Sequence, residues 1–230
     1  MKATSLIDRF VFFGDFNKIV TEEIPTLIKI FDGYKMTQRQ EQTQNGPITV
    51  TAFANLNYAI SFRFNRMDIE YANNPNLETS ESLKFALETF KNFSNTYTNL
   101  KGNRVSYVGT EFIPNPNNEP LADLTDGLGL CDVFGAASEF RMRLNSPVNI
   151  AGEDCNGVLN VQEGAVQDPS GNNLPAIIVI NDINTLSTNT AERFDLNNLL
   201  DLFTNMMKLA KDKNQKIVDI IEGVKTVSFA

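Results

Sequence analysis

Apolar residues recur along this chain with two spacings, and each spacing predicts a type of element. Over residues 17–31, Val20, Ile24, Leu27, Ile28 and Phe31 follow helical spacing, and Asp32-Gly33 ends the run. Pro25 lacks an amide hydrogen. The helix therefore either kinks there or begins near Thr21, which caps it with the proline in the first turn. Residues 34–42 are polar and predict an edge strand, and Ile48, Val50 and Ala52 alternate in the next strand, over 48–53. Ile60, Phe62 and Phe64 then face one way, and Met67, Ile69 and Tyr71 follow after Asn65-Arg66. A two-residue loop at Asn65-Arg66 pairs Phe64 with Met67, Phe62 with Ile69 and Ile60 with Tyr71. On the other face it sets Arg63 opposite Asp68. Residues 72–78 read as a loop. Thr79 then caps a helix to about residue 99, with Leu83, Ala86, Leu87, Phe90, Phe93 and Tyr97 on its apolar stripe. Lys101-Gly102-Asn103 ends it.

In the second half, residues 105–112 predict a strand, 113–120 a loop and 121–134 a short helix interrupted by glycines. Phe140, Met142 and Leu144 alternate with Arg141 and Arg143, the pattern of a half-exposed strand. Residues 158–162 form another strand and 168–173 a turn. The run AIIVI over 176–180 is apolar on both faces, which predicts the central strand. Asp195 is expected to cap the last long helix, whose stripe is Leu196, Leu199, Leu200, Phe203, Met206, Met207 and Ala210. A helical turn over 217–221 and a strand over 224–229 close the chain. The order gives an α+β fold: mostly antiparallel sheet or sheets, covered by helices on one face, in two halves of similar size. Those halves are residues 1–100 and 101–230, or one continuous domain.

Composition narrows the function. The 230 residues are 42% hydrophobic and 21% charged, enough for a sizeable core. The aromatics are 17 Phe and 5 Tyr with no Trp, so they read as core filler rather than as a Tyr/Trp recognition surface. A net charge of −8 disfavours nucleic acid and anionic membranes as partners. Three local basic clusters stand against that field: Arg63 with Arg66, Arg141 with Arg143, and Lys208, Lys211, Lys213 and Lys216, the last read as a solvated helix end. No apolar run approaches the ~20 residues that span a bilayer. The opening stretch MKATSLIDRFVFFGDF is interrupted by Asp8 and Arg9, so no export signal is read and a cytoplasmic location is expected. Cys131 and Cys155 lack CxxC spacing and are expected to be reduced and buried.

The chain has no histidine. This removes Ser-His-Asp and Cys-His catalysis and the HExxH zinc site. Phosphate-binding GxxxxGK[ST], dinucleotide-binding GxGxxG and nucleophile-elbow GxSxG patterns are also missing. Carboxylates remain as metal-ligand candidates: Asp123 with Asp126, Asp154 beside Glu153 and Cys155, and Asp182 after the AIIVI strand. None has a supporting lysine or glutamate pattern, and no cofactor is expected. Cys155 has no histidine to activate it as a nucleophile.

A run of strands in ITVTAFANLNYAISFRFNRMDIEY is followed by the helix SLKFALETFKNF and the strand NRVSYVGTEFIP; AIIVINDINTL and a final helix FDLNNLLDLFTNMMKLAKDKNQKIVDII come later. This order resembles a sporadically distributed, uncharacterised family of prokaryotic proteins of about this length. The resemblance implies a fold and carries no activity or site residues with it. The function expected from the residues is a noncatalytic interaction, adaptor or scaffold protein. It would bind another protein or itself, in a phage or prokaryotic defence setting; the Asn-rich loops fit a prokaryotic or phage source. The expected interaction edge is Tyr34, Met36, Gln38, Gln40 and Gln42. The alternatives are a metal-dependent hydrolase or nuclease using those aspartates, and a binder of apolar small molecules built on the Phe-rich core.

Overall fold

The computed structural model describes residues 2–44, 46–72, 80–115, 141–168 and 170–223. The loop after Ala72, the Thr79 cap, the glycine-interrupted helix and the closing strand over 224–229 lie outside the described residues. So do Asp123, Asp126, Cys131 and Phe140.

The described strands form one antiparallel sheet. The strands are β1 (Thr4–Gly14), β2 (Lys35–Thr43), β3 (Gly46–Ala54), β4 (Tyr58–Arg63), β5 (Arg66–Ala72), β6 (Lys101–Pro114), β7 (Arg141–Ile150), β8 (Glu153–Gln167), β9 (Asn173–Thr185) and the two-residue β10 (Phe194–Asp195). Their spatial order is β2-β3-β4-β5-β1-β6-β9-β8-β7, with β10 added beside β6. The helices are α1 (Asn17–Glu22), α2 (Ile24–Ile30), α3 (Ser80–Thr96) and α4 (Leu200–Ile221). None is long and apolar enough to cross a membrane. The fold is thus α+β, built mostly of antiparallel sheet.

No element is expected over residues 4–14, yet β1 is the middle of the sheet and pairs with both β5 and β6. Its run Phe10-Val11-Phe12-Phe13 is apolar on both faces and adjoins Asp8-Arg9, so neither period shows in it. The AIIVI segment is interior, in β9 between β6 and β8, but it is not the central strand. Directly paired residues share a face. Asp8, Phe10 and Phe12 therefore lie on the same side as Tyr71, Ile69 and Met67 of β5 and as Tyr107 and Val105 of β6. That side carries the apolar clusters. Phe203 of α4 meets Phe10 edge to face at 5.2 Å and stacks on Phe90 of α3 at 5.9 Å. Phe31 after α2 lies 5.1 Å from Phe53. Further along, Ile217, Val218 and Ile220 of α4 close over Leu159, Val161, Ile177 and Val179.

One polar group is embedded in this apolar layer. Asp8, 1% exposed, accepts hydrogen bonds from the Tyr107 hydroxyl and from the Ser82 hydroxyl of α3, both at 2.6 Å. Burial and the neighbouring carboxylate hold the Tyr107 phenol well above its usual range, so it stays a donor. Gly109, the residue paired with Asp8, makes room: a Cβ there would stand 2.6 Å from the Tyr107 hydroxyl oxygen.

Several expected details are corrected. The helix over 17–31 is two short helices meeting at Glu23, with Pro25 in the first turn of the second, where its missing amide costs nothing. Thr21 does not cap; its hydroxyl bonds back to the Asn17 carbonyl at 2.8 Å. The hairpin turn is Phe64-Asn65, not Asn65-Arg66, and pairs Phe62 with Met67 and Ile60 with Ile69. The shift is two residues, so every side chain keeps its face. It is fixed from outside, because the amides of Gly14 and Phe16 bond the Asn65 and Phe64 carbonyls at 3.2 and 2.8 Å. Phe64 is left 47% exposed. Asp195 accepts from the amide of Asn197 in a turn and does not cap α4, which begins at Leu200. Leu200 faces outward, and residues 217–221 continue the same helix. The lysines of 208–216 lie within α4 rather than at its end, and Lys213 is buried over Gly157, where desolvation lowers its pKa.

Replacing Tyr107 by Phe should leave the fold intact but strip one donor from the buried Asp8, lowering stability by about 1.5–3 kcal/mol in urea unfolding. Gly109→Ala should cost at least as much by pushing the same hydroxyl away.

Candidate interaction surface

Strand β2 is the first strand of the sheet and pairs with β3 in unbroken register from Lys35–Ala54 to Thr43–Gly46. Its residues are exposed along nearly the whole length. Met36, Gln38, Gln40 and Gln42 alternate to one side of it, and Gln38 and Gln40 donate to Thr51 and Thr49 of β3 at 3.2 and 2.9 Å. Tyr34 falls in the turn before the strand, half-buried with its ring 6.3 Å from Phe31. No proline or bulge interrupts β2, whereas the opposite edge, β7, carries Pro147.

The other side of β2 leads onto a different surface. Following the pairings across the sheet places Arg39 of β2, Arg63 of β4, Arg66 of β5, Arg9 of β1, Arg104 of β6 and Arg141 and Arg143 of β7 on one face. These are seven of the eight arginines in the chain. None of the strand residues in the two apolar clusters belongs to this face. Four of these seven guanidinium groups meet a carboxylate, two of them across strands. Arg9 meets Glu70 at 2.6 Å, Arg63 meets Glu41 at 2.8 Å and also Asp68, and Arg66 Nε lies 3.1 Å from Asp68. Glu41 bridges Arg39 and Arg63 over β3, where Val50 is fully buried. Hydrogen bonds from Arg39 and Arg63 hold the Glu41 carboxyl below its usual range. Asp68, 2% exposed, is pushed up by burial against the pull of Arg66, Arg63 and Arg9.

The sequence singled out Arg63 with Arg66 and Arg141 with Arg143 as separate pairs; register makes them parts of one face. Arg9, Arg39 and Arg104 were not foreseen there. Their only sequence trace is the position of each within an alternating strand, and that has no direction until the pairing is known.

Of the metal-ligand candidates, Asp154 and Asp182 lie among the described residues, and those two do not converge. Asp182 lies on the arginine face and accepts from Ser106 and Asn184 at 3.1 and 3.3 Å. Asp154 is four residues along β8 from Val158, the partner of Asp182, hence ~13 Å away by strand rise; it accepts from Asn149 at 3.0 Å. Among the described residues no three His, Cys, Asp or Glu side chains gather as a metal site requires. Cys155 is a free, buried thiol whose pKa burial raises to about 11, with Glu153 and Asp154 adding to the shift.

Two outcomes are expected. A carboxylate with a depressed folded pKa stabilises above its unfolded pKa and loses that contribution as pH falls through the folded value. Glu41→Gln should therefore lower Tm modestly at pH 7, and the difference from the parent should shrink as pH drops below Glu41's ordinary value of 4.5. Scanning calorimetry from pH 3 to 7 reads this. At pH 8, iodoacetamide should leave Cys155 unmodified in the native protein and alkylate it in urea, as peptide mass spectrometry would show.

No protein-family model matches the chain, and no curated protein is similar to it.

Proposed function

We propose that the protein is a noncatalytic interaction module that takes up an extended segment of a partner protein, or of a second copy of itself, as an added strand along β2. The observation that carries this reading is an exposed, regular edge of nine residues at one end of a sheet held rigid by its helices. Such an edge spans ~30 Å and offers unpaired amides and carbonyls at alternate positions. Strand addition satisfies them all, each bond contributing about 0.5–1.5 kcal/mol. Rigidity comes from the sheet acting as one platform. Cluster membership of α1 to α4 supports helices on a single face, with the parts before and after residue 100 as its two halves. A cytoplasmic, prokaryotic or phage setting, and membership of the family that the element order resembles, belong to the same proposal.

A proline scan over residues 36–42 tests it. Alternate positions point their amides toward β3, and proline there should lower Tm. The intervening positions point outward, and proline there should leave Tm nearly unchanged while abolishing association. Size-exclusion chromatography with light scattering over a tenfold concentration range reads self-association. A strict monomer moves the same scan to capture of a host protein. Association that survives proline at both sets of positions sinks the reading.

A further inference from the structure

Arg104 differs from its neighbours on the arginine face. Arg9, Arg39, Arg63 and Arg66 each meet a carboxylate, whereas Arg104 makes no hydrogen bond or ion pair among the described residues; its Nε, like those of Arg9 and Arg66, is buried without a hydrogen-bond partner. Its guanidinium lies 3.8 Å over the Phe13 ring, with Arg66 5.9 Å from the same ring. The nearest acid by charge is Asp182, and Ser106 and Asn184 already occupy one of its oxygens. Two guanidinium groups therefore flank one aromatic ring; Arg66 has Asp68, whereas Arg104 has only the charge of Asp182, one of whose oxygens is already engaged. Burial disfavours the charged form of Arg104, and Arg66 adds to the effect. An incoming anion relieves both.

Arg104 and Phe13 form one wall of a half-open pocket of about 230 Å³. The remaining walls include Asn65, Asn103, Ser187 and Asn189. The backbones of Asn65, Asn103 and Asn189 are tied down. The carbonyl of Asn65 takes the Gly14 amide at 3.2 Å. Arg193 ties together the carbonyls of Asn103, Asn189 and Ala191 and is itself held by Glu153 at 2.9 Å. The side chains of Asn65, Asn103 and Ser187 make no hydrogen bond among the described residues. Asn189 uses only its Oδ1, toward the Ala191 amide, so its NH2 stays available. The pocket is thus lined by one arginine without an ion pair among the described residues, three asparagines and a serine.

We propose that this pocket binds a phosphate monoester group of a small molecule, with Arg104 as its charged partner and the asparagine amides and Ser187 completing the shell. The donors exceed the four lone-pair positions of a carboxylate and match a tetrahedral oxyanion. The pocket is too small for a drug-sized ligand. The chain's net charge of −8 works against a long polyanion but acts weakly on one small anion at a local positive site.

Thermal shift of the full chain at constant ionic strength tests this, with inorganic phosphate, methyl phosphate, dimethyl phosphate and acetate as probes. A saturable rise of roughly 3 °C at 10 mM methyl phosphate, as expected for a Kd near 1 mM, supports the proposal. Arg104→Gln should abolish the rise, and Arg104→Lys should weaken binding about tenfold by losing the planar fork. If Arg104→Gln does not fold, Ser187→Ala serves instead and should weaken binding severalfold. A larger shift with acetate overturns the ligand class, and one with dimethyl phosphate overturns it in favour of a nucleic-acid backbone. No saturable shift, or one unchanged by both Arg104→Gln and Ser187→Ala, overturns the site.

Discussion

Everything in this fold depends on β1 being paired on both sides. Among the described strands it is the one that joins the β2–β5 meander to the β6–β9 group, so its two ladders turn two small sheets into one. An antiparallel sheet with one face in solvent needs its other face covered, and β1 supplies the centre of that cover: Phe10 and Phe12 receive Phe203 and Phe90 from the two longest helices. Asp8 adds direction. A buried carboxylate requires donors, and Asp8 draws them from both β6 and α3, which pins strand, neighbour and helix in a single arrangement.

With one face committed to the core, the other is left for charge. Arginine suits that surface because its planar group reaches a carboxylate one strand away while its stem covers the apolar residues beneath, as Arg63 and Glu41 do around Val50. Lysines are placed mainly on the helices instead. The two proposed sites lie at different places, backbone groups along β2 and a guanidinium at the Phe13 end of the arginine face, so neither site requires the other's residues.

The sequence shows helix and strand type wherever one period dominates. The polar edge 34–42, the stripe of α3 and the alternation in β7 all read directly. It misleads where tertiary contacts decide. The hairpin slides two residues because β1 captures its turn carbonyls, and Asp195 caps a turn because β10 pairs with β6 before α4 can start. β1 is invisible for the reason that makes it central, since a strand buried on one face and covered by arginine stems on the other shows no alternation.

By itself the sequence determined the element types, the lack of imidazole chemistry and the filling of the core by phenylalanine, because these depend on composition and local spacing. Only the tertiary structure decided which strand is central, that seven arginines share a face, and that Arg104, unlike Arg9, Arg63 and Arg66, has no carboxylate paired with it among the described residues. Those facts depend on register between strands far apart in the chain, and a period of two fixes alternation without fixing which side is which.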